Sequence, residues 1–70
     1  MNKRFAKVSI NNGTLNVRTL PMGAVINGLK QNEIVEILDE KMHSTVMWYK
    51  IKNNNMTGYA ISTYLKEFKP

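Results

Sequence analysis

Apolar and polar residues alternate with a period of two in several short stretches of the chain, a pattern typical of half-buried β-strands. The alternation is clearest from Tyr49 to Lys52, and a second run rich in strand-forming residues begins at Tyr59. The asparagines at positions 53–55, between the two runs, tolerate the left-handed backbone of a tight connection. Together these features predict a β-hairpin within residues 48–65.

The alternation also assigns side chains to the two faces of the predicted hairpin, because successive residues of a strand point in opposite directions. Tyr49 and Ile51 are expected in the core, and Trp48 faces the other way. Trp48 is therefore expected at or near the surface, together with Tyr59 and Tyr64. Aromatic side chains that are exposed beside polar residues commonly mark a contact site.

The rest of the chain carries further short segments of the same kind. In residues 15–18 the apolar side chains point inward, so Asn16 and Arg18 share the outer face. In the loop that follows, Pro21 fixes its own φ, and Gly23 supplies dihedral angles that other residues avoid. Other β-rich or apolar segments are residues 8–10, 24–29, 33–38 and 65–68, with one helical turn at Ser62–Tyr64.

These segments predict an all-β fold, a small barrel of five to six short antiparallel strands. Residues 39–47 interrupt the alternation and are assigned to a loop or to the flared end of a hairpin. This piece contains Met42, Val46 and Met47, which is more apolar surface than a loop needs. These side chains either cap an open end of the barrel or contact a partner. The strand residues expected in the core are Leu15, Val17, Val35, Ile37, Tyr49 and Ile51.

Length and composition limit what this chain can do. Seventy residues form one domain at most, and the absence of cysteine excludes disulfides, a cysteine nucleophile and a thiolate zinc site. The net charge of +5 favours anionic partners such as nucleic acid, a membrane surface or a polyanionic cell wall. The first residues lack the apolar stretch of a secretory signal. Residues 1–7 are basic and are expected to form a flexible segment ahead of a domain at residues 8–68.

Few residues of the chain have catalytic or metal-binding chemistry. His43 is the only histidine and is expected on the surface, so a set of nitrogen and sulfur ligands for zinc cannot be assembled. Asp39 and Glu40 would point to opposite faces of a continuing strand and would not act as a pair. The hydroxyl of Ser62 is better explained as a cap than as a nucleophile. No catalytic residue, metal site or cofactor is therefore expected.

A ligand-binding surface is the better-supported hypothesis. Trp48, Tyr59 and Tyr64 offer flat, rigid rings whose N–H and O–H groups can bond to a peptide or a sugar. Asn16 and Arg18 add amide and guanidinium donors suited to carbonyl groups or a carboxylate. These five residues are the predicted ligand site.

Five short motifs follow one another between residues 8 and 68. They are L-N-V-R at 15–18 with Pro21 after it, V-I-N-G-L at 25–29, V-E-I-L at 35–38, W-Y-K-I at 48–51 and T-G-Y-A-I-S-T-Y-L at 57–65. In this order they resemble the bacterial Src-homology-3 (SH3b) family. The resemblance implies an SH3-like barrel and a non-catalytic targeting role. Such modules accompany peptidoglycan hydrolases, such as autolysins and phage endolysins, and bind the peptide stem or cross-bridge of the bacterial cell wall.

The last motif is also similar to the end of eukaryotic SH3 domains, which implies that Trp48 and Tyr64 line a peptide groove. Ile61 stands where those domains have a groove proline, so their polyproline specificity is not implied. The loop after the L-N-V-R motif is shorter than the usual bacterial pattern, with Leu20 where the family often has glycine. Met47 replaces the glycine that commonly precedes the W-Y pair. Both of these departures border the implied groove.

Other interpretations are open from the sequence alone. Tyr59 has packing as its alternative role, and Arg18 has an ion pair with Glu33 or Glu36. Small barrels with positive charge and surface aromatics also stack nucleic-acid bases. Here, however, only Lys50 and Lys52 lie on the aromatic strands, and the other basic residues are spread over both ends of the chain. A general peptide- or protein-interaction module, or a dimer formed through the apolar residues of the irregular piece, is the remaining alternative.

The residues and the resemblance together predict a non-enzymatic module that binds cell-wall peptidoglycan and targets an attached lytic enzyme to it. The implied partners are the peptide stem or cross-bridge, a tethered hydrolase domain and further copies of the module. Neither nucleic acid nor a membrane is an expected partner. The expected location is extracellular or in the cell wall, as part of a longer protein, because the chain itself carries no signal peptide.

Overall fold

Seven antiparallel strands and one short 3₁₀ turn make up residues 3–69, the part of the chain that the computed structural model describes. The predicted all-β class is confirmed, although the strands number seven rather than five to six. The helical turn expected at Ser62–Tyr64 is confirmed as the 3₁₀ turn. The strands are β1 (Arg4–Val8), β2 (Leu15–Arg18), β3 (Val25–Leu29), β4 (Ile34–His43), β5 (Val46–Asn53), β6 (Met56–Ile61) and β7 (Leu65–Phe68).

The strands form one sheet in the order β3-β2-β6-β5-β4-β1-β7, which curls into a small barrel. The first strand lies inside this sheet, where Ala6 pairs with Val35 of β4 on one side and with Glu67 of β7 on the other. The expectation of a flexible segment over residues 1–7 is therefore wrong from Arg4 onward. The first two residues of that segment lie outside the described part of the chain.

The position of β1 also corrects the strand predicted at residues 8–10, since β1 ends at Val8. Its inward side chains include Ala6 and Val8, which are fully buried. Arg4 stands on the same side of the strand, two residues earlier, and Ala6 is small. The apolar–polar contrast along this segment is consequently weak, which is why the alternation did not reveal the strand.

The core is a cluster of aliphatic side chains to which all seven strands contribute. Burying a side chain such as Leu29 or Ile51, both fully inaccessible, contributes roughly 1.5–3 kcal/mol to folding. Tyr49, which was expected in the core, is half-buried and packs against the cluster. The other strand residues expected there are confirmed as buried: Leu15, Val17, Val35, Ile37 and Ile51.

Of the two assignments left open for the piece at residues 39–47, the end of a hairpin is confirmed, and a loop is confined to the two turn residues. Most of this piece belongs to the long β4–β5 hairpin, in which His43 pairs with Val46 across a two-residue turn. A register shift between Ile37 and Asp39 interrupts the ladder, and every residue of β4 beyond it is exposed. Both faces of residues 38–43 are exposed, so this half of the hairpin needs no alternation of apolar and polar side chains. Met42 is 59% exposed, which contradicts the interpretation that it caps the barrel.

The predicted hairpin at residues 48–65 is confirmed as β5 and β6. Asn53 pairs with Met56, so the connection is the two-residue turn Asn54–Asn55. Asn54 adopts the left-handed backbone there, with φ of 57°. The turn chemistry of consecutive asparagines thus sets the register that brings Trp48 opposite Ile61.

Candidate functional site

A groove runs along the outer face of the barrel, between the β2–β3 turn, the tip of the β4–β5 hairpin and the 3₁₀ turn. It consists of two clefts, of about 330 Å³ and about 280 Å³, which we name the polar cleft and the apolar cleft. Both clefts are bordered by Met22, Trp48 and Ile61. Four of the five predicted site residues line the polar cleft: Asn16, Arg18, Trp48 and Tyr64.

Gly58 on β6 allows β2 to come close enough to place its polar side chains beside the groove. A Cβ atom at this position would lie 2.6 Å from Cγ1 of Val17 and 2.9 Å from the carbonyl oxygen of Arg18. Such distances are well inside van der Waals contact, so a larger residue would push the two strands apart. Glycine in the T-G-Y motif is therefore required by the close approach of β2, the strand that carries Asn16 and Arg18.

Trp48 differs from the expectation of a surface indole. Its side chain points away from the main core cluster, as the alternation predicts, yet it is only 5% exposed. On this outer face Trp48 is the cross-strand neighbour of Ile61, while Met22 and Tyr64 border the same cleft. Contacts of β5 with β6 and with the 3₁₀ turn thus leave little of Trp48 accessible, which period-two alternation cannot indicate. The groove meets Trp48 at its small accessible edge.

Tyr64 is the aromatic residue that the polar cleft exposes most, with 46% of its surface accessible. It lies in the 3₁₀ turn, whose next residue, Leu65, is buried and anchors the turn to the core. The ring is held at the margin of the cleft by this short, tethered segment. Nearly half of the residue's surface is therefore accessible at the margin of the cleft.

Tyr59 is the predicted site residue that the structure does not bring into the groove. It is half-buried and pairs with Arg18 of β2 and Lys50 of β5. Tyr59 precedes Ile61 by two residues, so it points to the same face but lies about 7 Å further along the strand. That spacing places it beside the groove, outside the residues that line either cleft.

Arg18 is half-buried, and its Nη1 donates a hydrogen bond of 2.9 Å to the carbonyl oxygen of Gly23. The alternative of an ion pair with Glu33 or Glu36 is wrong, since both salt bridges within residues 3–69 belong to Arg4. The Glu33 carboxylate instead accepts hydrogen bonds from the backbone N–H of Lys30 and the side-chain amide of Asn53, which together lower its pKa. The positive charge of Arg18 therefore has no carboxylate partner in the described part of the chain.

In the turn at residues 20–23, the left-handed residue is Met22, whereas Gly23 was expected to supply the unusual dihedral angles. The N–H of Gly23 donates to the carbonyl of Leu20 at 2.7 Å, with Pro21 and Met22 between them. Met22, with φ of 63°, takes the left-handed position, as in a type II turn. Gly23 is needed for space instead, because a Cβ there would lie 2.9 Å from Oγ1 of Thr19. The expectation of unusual dihedral angles thus applies to Met22.

The groove also contains residues outside the five that were predicted as the ligand site, namely Met22 and the hairpin tip. Met22 is 69% exposed and borders both clefts, and the tip contributes His43, Ser44 and Val46 to the apolar cleft. The available signal for Met22 was Pro21, which commonly precedes a left-handed residue in a type II turn. For the tip, the available signal was Val46, which precedes Trp48 by two residues on β5 and therefore shares its face.

The chemistry of the groove is that of recognition. None of the residues lining the two clefts is acidic, and within residues 3–69 no group of three or more His, Cys, Asp or Glu side chains could hold a metal ion. His43 lies exposed beside the apolar cleft, in agreement with the surface position predicted for it. In the same described range, no helix combines the length and apolar character needed to cross a membrane.

The comparison with known families agrees with this geometry. Residues 13–66 match the family model of the bacterial SH3 domain. That match covers most of the 70 residues, and the chain therefore belongs to the bacterial SH3 family of small binding domains. No curated protein and no solved structure matches the chain significantly.

Proposed function

We propose that this domain is a non-catalytic module that binds peptidoglycan of the bacterial cell wall and holds an attached lytic enzyme on its substrate. The main support is the groove itself, where Asn16, Arg18, Trp48 and Tyr64 line one cleft. Membership in the bacterial SH3 family gives the prior for a binding role, and the composition of the cleft gives the ligand class. A peptide stem or cross-bridge offers the carbonyl and carboxylate groups that these donors suit.

The polar cleft can hold an extended peptide by three kinds of contact. The guanidinium of Arg18 keeps N–H donors in addition to the one used by Gly23, and these can bond to a carboxylate or to backbone carbonyls. Asn16 is exposed on the same strand and supplies an amide that both donates and accepts. Tyr64 supplies a flat apolar face at low entropic cost. All three contacts are noncovalent, so binding requires no chemistry on the wall.

A groove this small binds weakly on its own, and the proposed function does not require more. Tethering to a hydrolase, or to further copies of the module, raises the effective concentration of each site on the wall. The gain in avidity reaches about 10²- to 10⁴-fold where the tether lets both units bind together. The domain would act outside the cell or in the wall, as part of a longer protein.

Pull-down with purified sacculi tests this function. Tyr64→Ala is the informative variant, because Tyr64 is 46% exposed and its removal should cost little stability. Leu38→Ala is the matched control, since Leu38 is 44% exposed and lines neither cleft. The wild type and Leu38→Ala should be retained at physiological salt, and Tyr64→Ala should remain in the supernatant. Equal retention of the two variants would reject the groove as the wall-binding site.

One observation favours a protein-interaction surface as a second function. At the tip of the β4–β5 hairpin, Met42 is 59% exposed, and its cross-strand neighbour on the same face is the partly exposed Met47. Contiguous exposed apolar side chains are typical of protein contacts. Sedimentation at two concentrations tests whether this tip joins copies of the chain. A mass that rises with concentration in the wild type and not in Met42→Ser would support self-association.

A further inference from the structure

The two clefts of the groove differ in chemistry, and this difference constrains the ligand further. Beyond the three residues that they share, the polar cleft is lined by side chains such as Asn16, Arg18 and Tyr64. The apolar cleft adds His43, Ser44 and Val46 instead. A ligand that fills both clefts must therefore present two unlike groups. The inference below rests on the proposed function in one respect, that this groove is the ligand site.

The polar cleft is suited to an anion. Arg18 brings a full positive charge to it, and neither cleft has an acidic lining residue. The guanidinium is already oriented by its hydrogen bond to Gly23, so little side-chain entropy is lost when a ligand binds. A carboxylate at this place would form charge-assisted hydrogen bonds, which are stronger than bonds to a neutral amide. The cleft should therefore distinguish Glu from Gln in a peptide.

The apolar cleft is suited to an aliphatic side chain. Its walls are Met22, Val46, Trp48 and Ile61, and its volume of about 280 Å³ exceeds that of any aliphatic side chain. Filling it removes apolar surface of both partners from water, at about 25 cal/mol per Å². A glycine at this position of the ligand would leave the cleft to solvent. The cleft should therefore distinguish leucine from glycine.

Met22 lies between the two subsites. It is a single side chain that borders both clefts, and the Leu20–Gly23 turn together with Arg18 holds its backbone in the left-handed conformation. Trp48 and Ile61 also border both clefts, so the two clefts adjoin along these three residues. In an extended peptide, residues two apart point to the same side and are about 7 Å apart. Alternate side chains of one extended peptide can therefore enter two adjoining clefts.

We propose that the groove is a two-subsite reader of extended peptides, which takes a carboxylate in the polar cleft and an aliphatic side chain, two residues away, in the apolar cleft. Met22 and Val46 determine the second preference, and Arg18 and Asn16 determine the first. Within the cell wall this selects acidic peptide segments with aliphatic neighbours over glycine-only segments. The second preference is set by side chains that the sequence analysis did not assign to the site.

Synthetic peptides test the two preferences separately. The reference probe is acetyl-Leu-Ala-Glu-Ala-Leu-amide, which places leucine two residues from glutamate in either chain direction. One comparison peptide replaces Glu with Gln, and another replaces both Leu with Gly. Each replacement should weaken binding to the wild-type domain about tenfold in a titration followed by NMR or calorimetry. Equal affinity for the reference peptide and either replacement would overturn the proposal.

Two exposed positions allow the subsites to be altered one at a time. Asn16→Asp adds a carboxylate to the polar cleft and should erase the preference for Glu while keeping that for Leu. Val46→Ser should reduce the preference for Leu several-fold and keep that for Glu. Asn55→Asp, in the exposed β5–β6 turn, is the charge-matched control and should change neither preference. If Asn16→Asp and Val46→Ser shift both preferences alike, the two-subsite assignment is wrong.

Wild-type binding to sacculi, measured in parallel, separates this inference from the proposed function. If the domain is retained on sacculi but shows no preference among the peptides, the two-subsite proposal is overturned and wall binding remains supported. Peptide preferences without retention on sacculi would reject wall targeting and keep the two-subsite selectivity for peptides of another source.

Discussion

Arg4 and Arg18 are half-buried arginines of one sheet, yet their charges meet different surroundings. Arg4 donates to the carboxylate of Glu67 from two nitrogens, each at 2.8 Å, and to that of Glu40 at 2.6 Å. We refer to these three residues as the Arg4 cluster. Arg18 donates to the carbonyl of Gly23 and has no carboxylate partner within residues 3–69.

Under the proposed function, this difference separates a structural arginine, Arg4, from a ligand-binding arginine, Arg18. The Arg4 cluster joins β1 to β4 and β7 through contacts that span 36 and 63 positions of sequence, and the guanidinium also lies 5.9 Å from the ring centre of Tyr49. Its charges are satisfied by the fold. The groove instead combines an unpaired cation, a left-handed Met22 and an exposed Tyr64. The left-handed backbone of Met22 costs stability, and under the proposed function a ligand would pair with the charge of Arg18.

Trp48→Ala should give the largest effect of any change in the groove, because Trp48 is both buried in the fold and part of the groove. Trp48 is 5% exposed, and removal of a buried Trp side chain typically costs about 3–5 kcal/mol. For a domain of 70 residues that is a large part of the total stability. Urea unfolding should show the destabilisation directly, and sacculus binding should disappear with it.

Because Trp48→Ala confounds folding with binding, Trp48→Phe serves as the control. Phenylalanine keeps most of the buried apolar volume and removes the indole N–H. If Trp48→Phe retains both stability and binding, the indole acts by packing alone, and Tyr64 and Arg18 carry recognition. A Trp48→Ala protein of unchanged stability would show that the ring is not part of the packed structure.

Arg18→Gln should weaken peptide or sacculus binding about tenfold, because a charge-assisted contact is replaced by a neutral one. The melting temperature should fall only slightly, since the substitution removes one hydrogen bond, that from Nη1 to the carbonyl oxygen of Gly23. Arg4→Gln is the matched control, with the same substitution at the structural arginine. It should leave binding unchanged. An equal decrease of binding in both variants would remove the distinction drawn between the two arginines.

Much of the fold was predictable because most strands and turns leave local patterns in the sequence. Alternation in residues 15–18 and 49–52 placed Val17 and Ile51 in the core, and the asparagines gave the β5–β6 turn. Strand β1 escaped because its support is nonlocal. It is paired on both sides and is held by the Arg4 cluster, and neither feature leaves a periodic trace in residues 4–8.

The site was predictable in its members and less so in its shape. Alternation and the family resemblance identified four residues that the polar cleft brings together. They could not show that Trp48 is covered, because its neighbours include Ile61 on β6 and the 3₁₀ turn, 13 and 14 or more positions away in sequence. The same reasoning assigned Tyr59 to the site, although Tyr59 lies two residues before Ile61 on β6 and lines neither cleft.

Acid should distinguish the two arginines through stability. The hydrogen bonds from Arg4 lower the pKa of Glu67 in the folded state. A carboxylate whose folded pKa is depressed stabilises the protein above its unfolded pKa of about 4.3, and this contribution is lost as the pH falls through the folded value. The wild type should therefore lose melting temperature below about pH 4.3, and Arg4→Gln should show a shallower decline.

The acid effect should be modest, since Arg4 and Glu67 have side chains about 40% exposed and salt screens such pairs. Glu33 also has a lowered pKa, so part of the acid destabilisation should persist in Arg4→Gln. Arg18→Gln should follow the wild-type curve. An identical acid dependence in the wild type and Arg4→Gln would show that the Arg4 cluster does not contribute to folding stability.

Met22→Gly should give the smallest change in stability and the one of opposite sign. For a residue with a Cβ, the left-handed backbone destabilises the folded state by about 1–2 kcal/mol. Glycine removes this cost but destabilises the folded state by about 0.5–1 kcal/mol, because its unfolded chain has more conformational freedom. A gain of roughly half a kcal/mol is therefore expected from chemical denaturation, because Met22 is 69% exposed and loses little packing. Asn54→Gly, at the other turn with φ of 57°, should shift stability in the same direction without touching the groove.

If Met22→Gly is instead less stable, the side chain holds the turn by packing on Trp48. If it is more stable but binds less selectively, the strain is retained for the wall that Met22 forms between the two clefts.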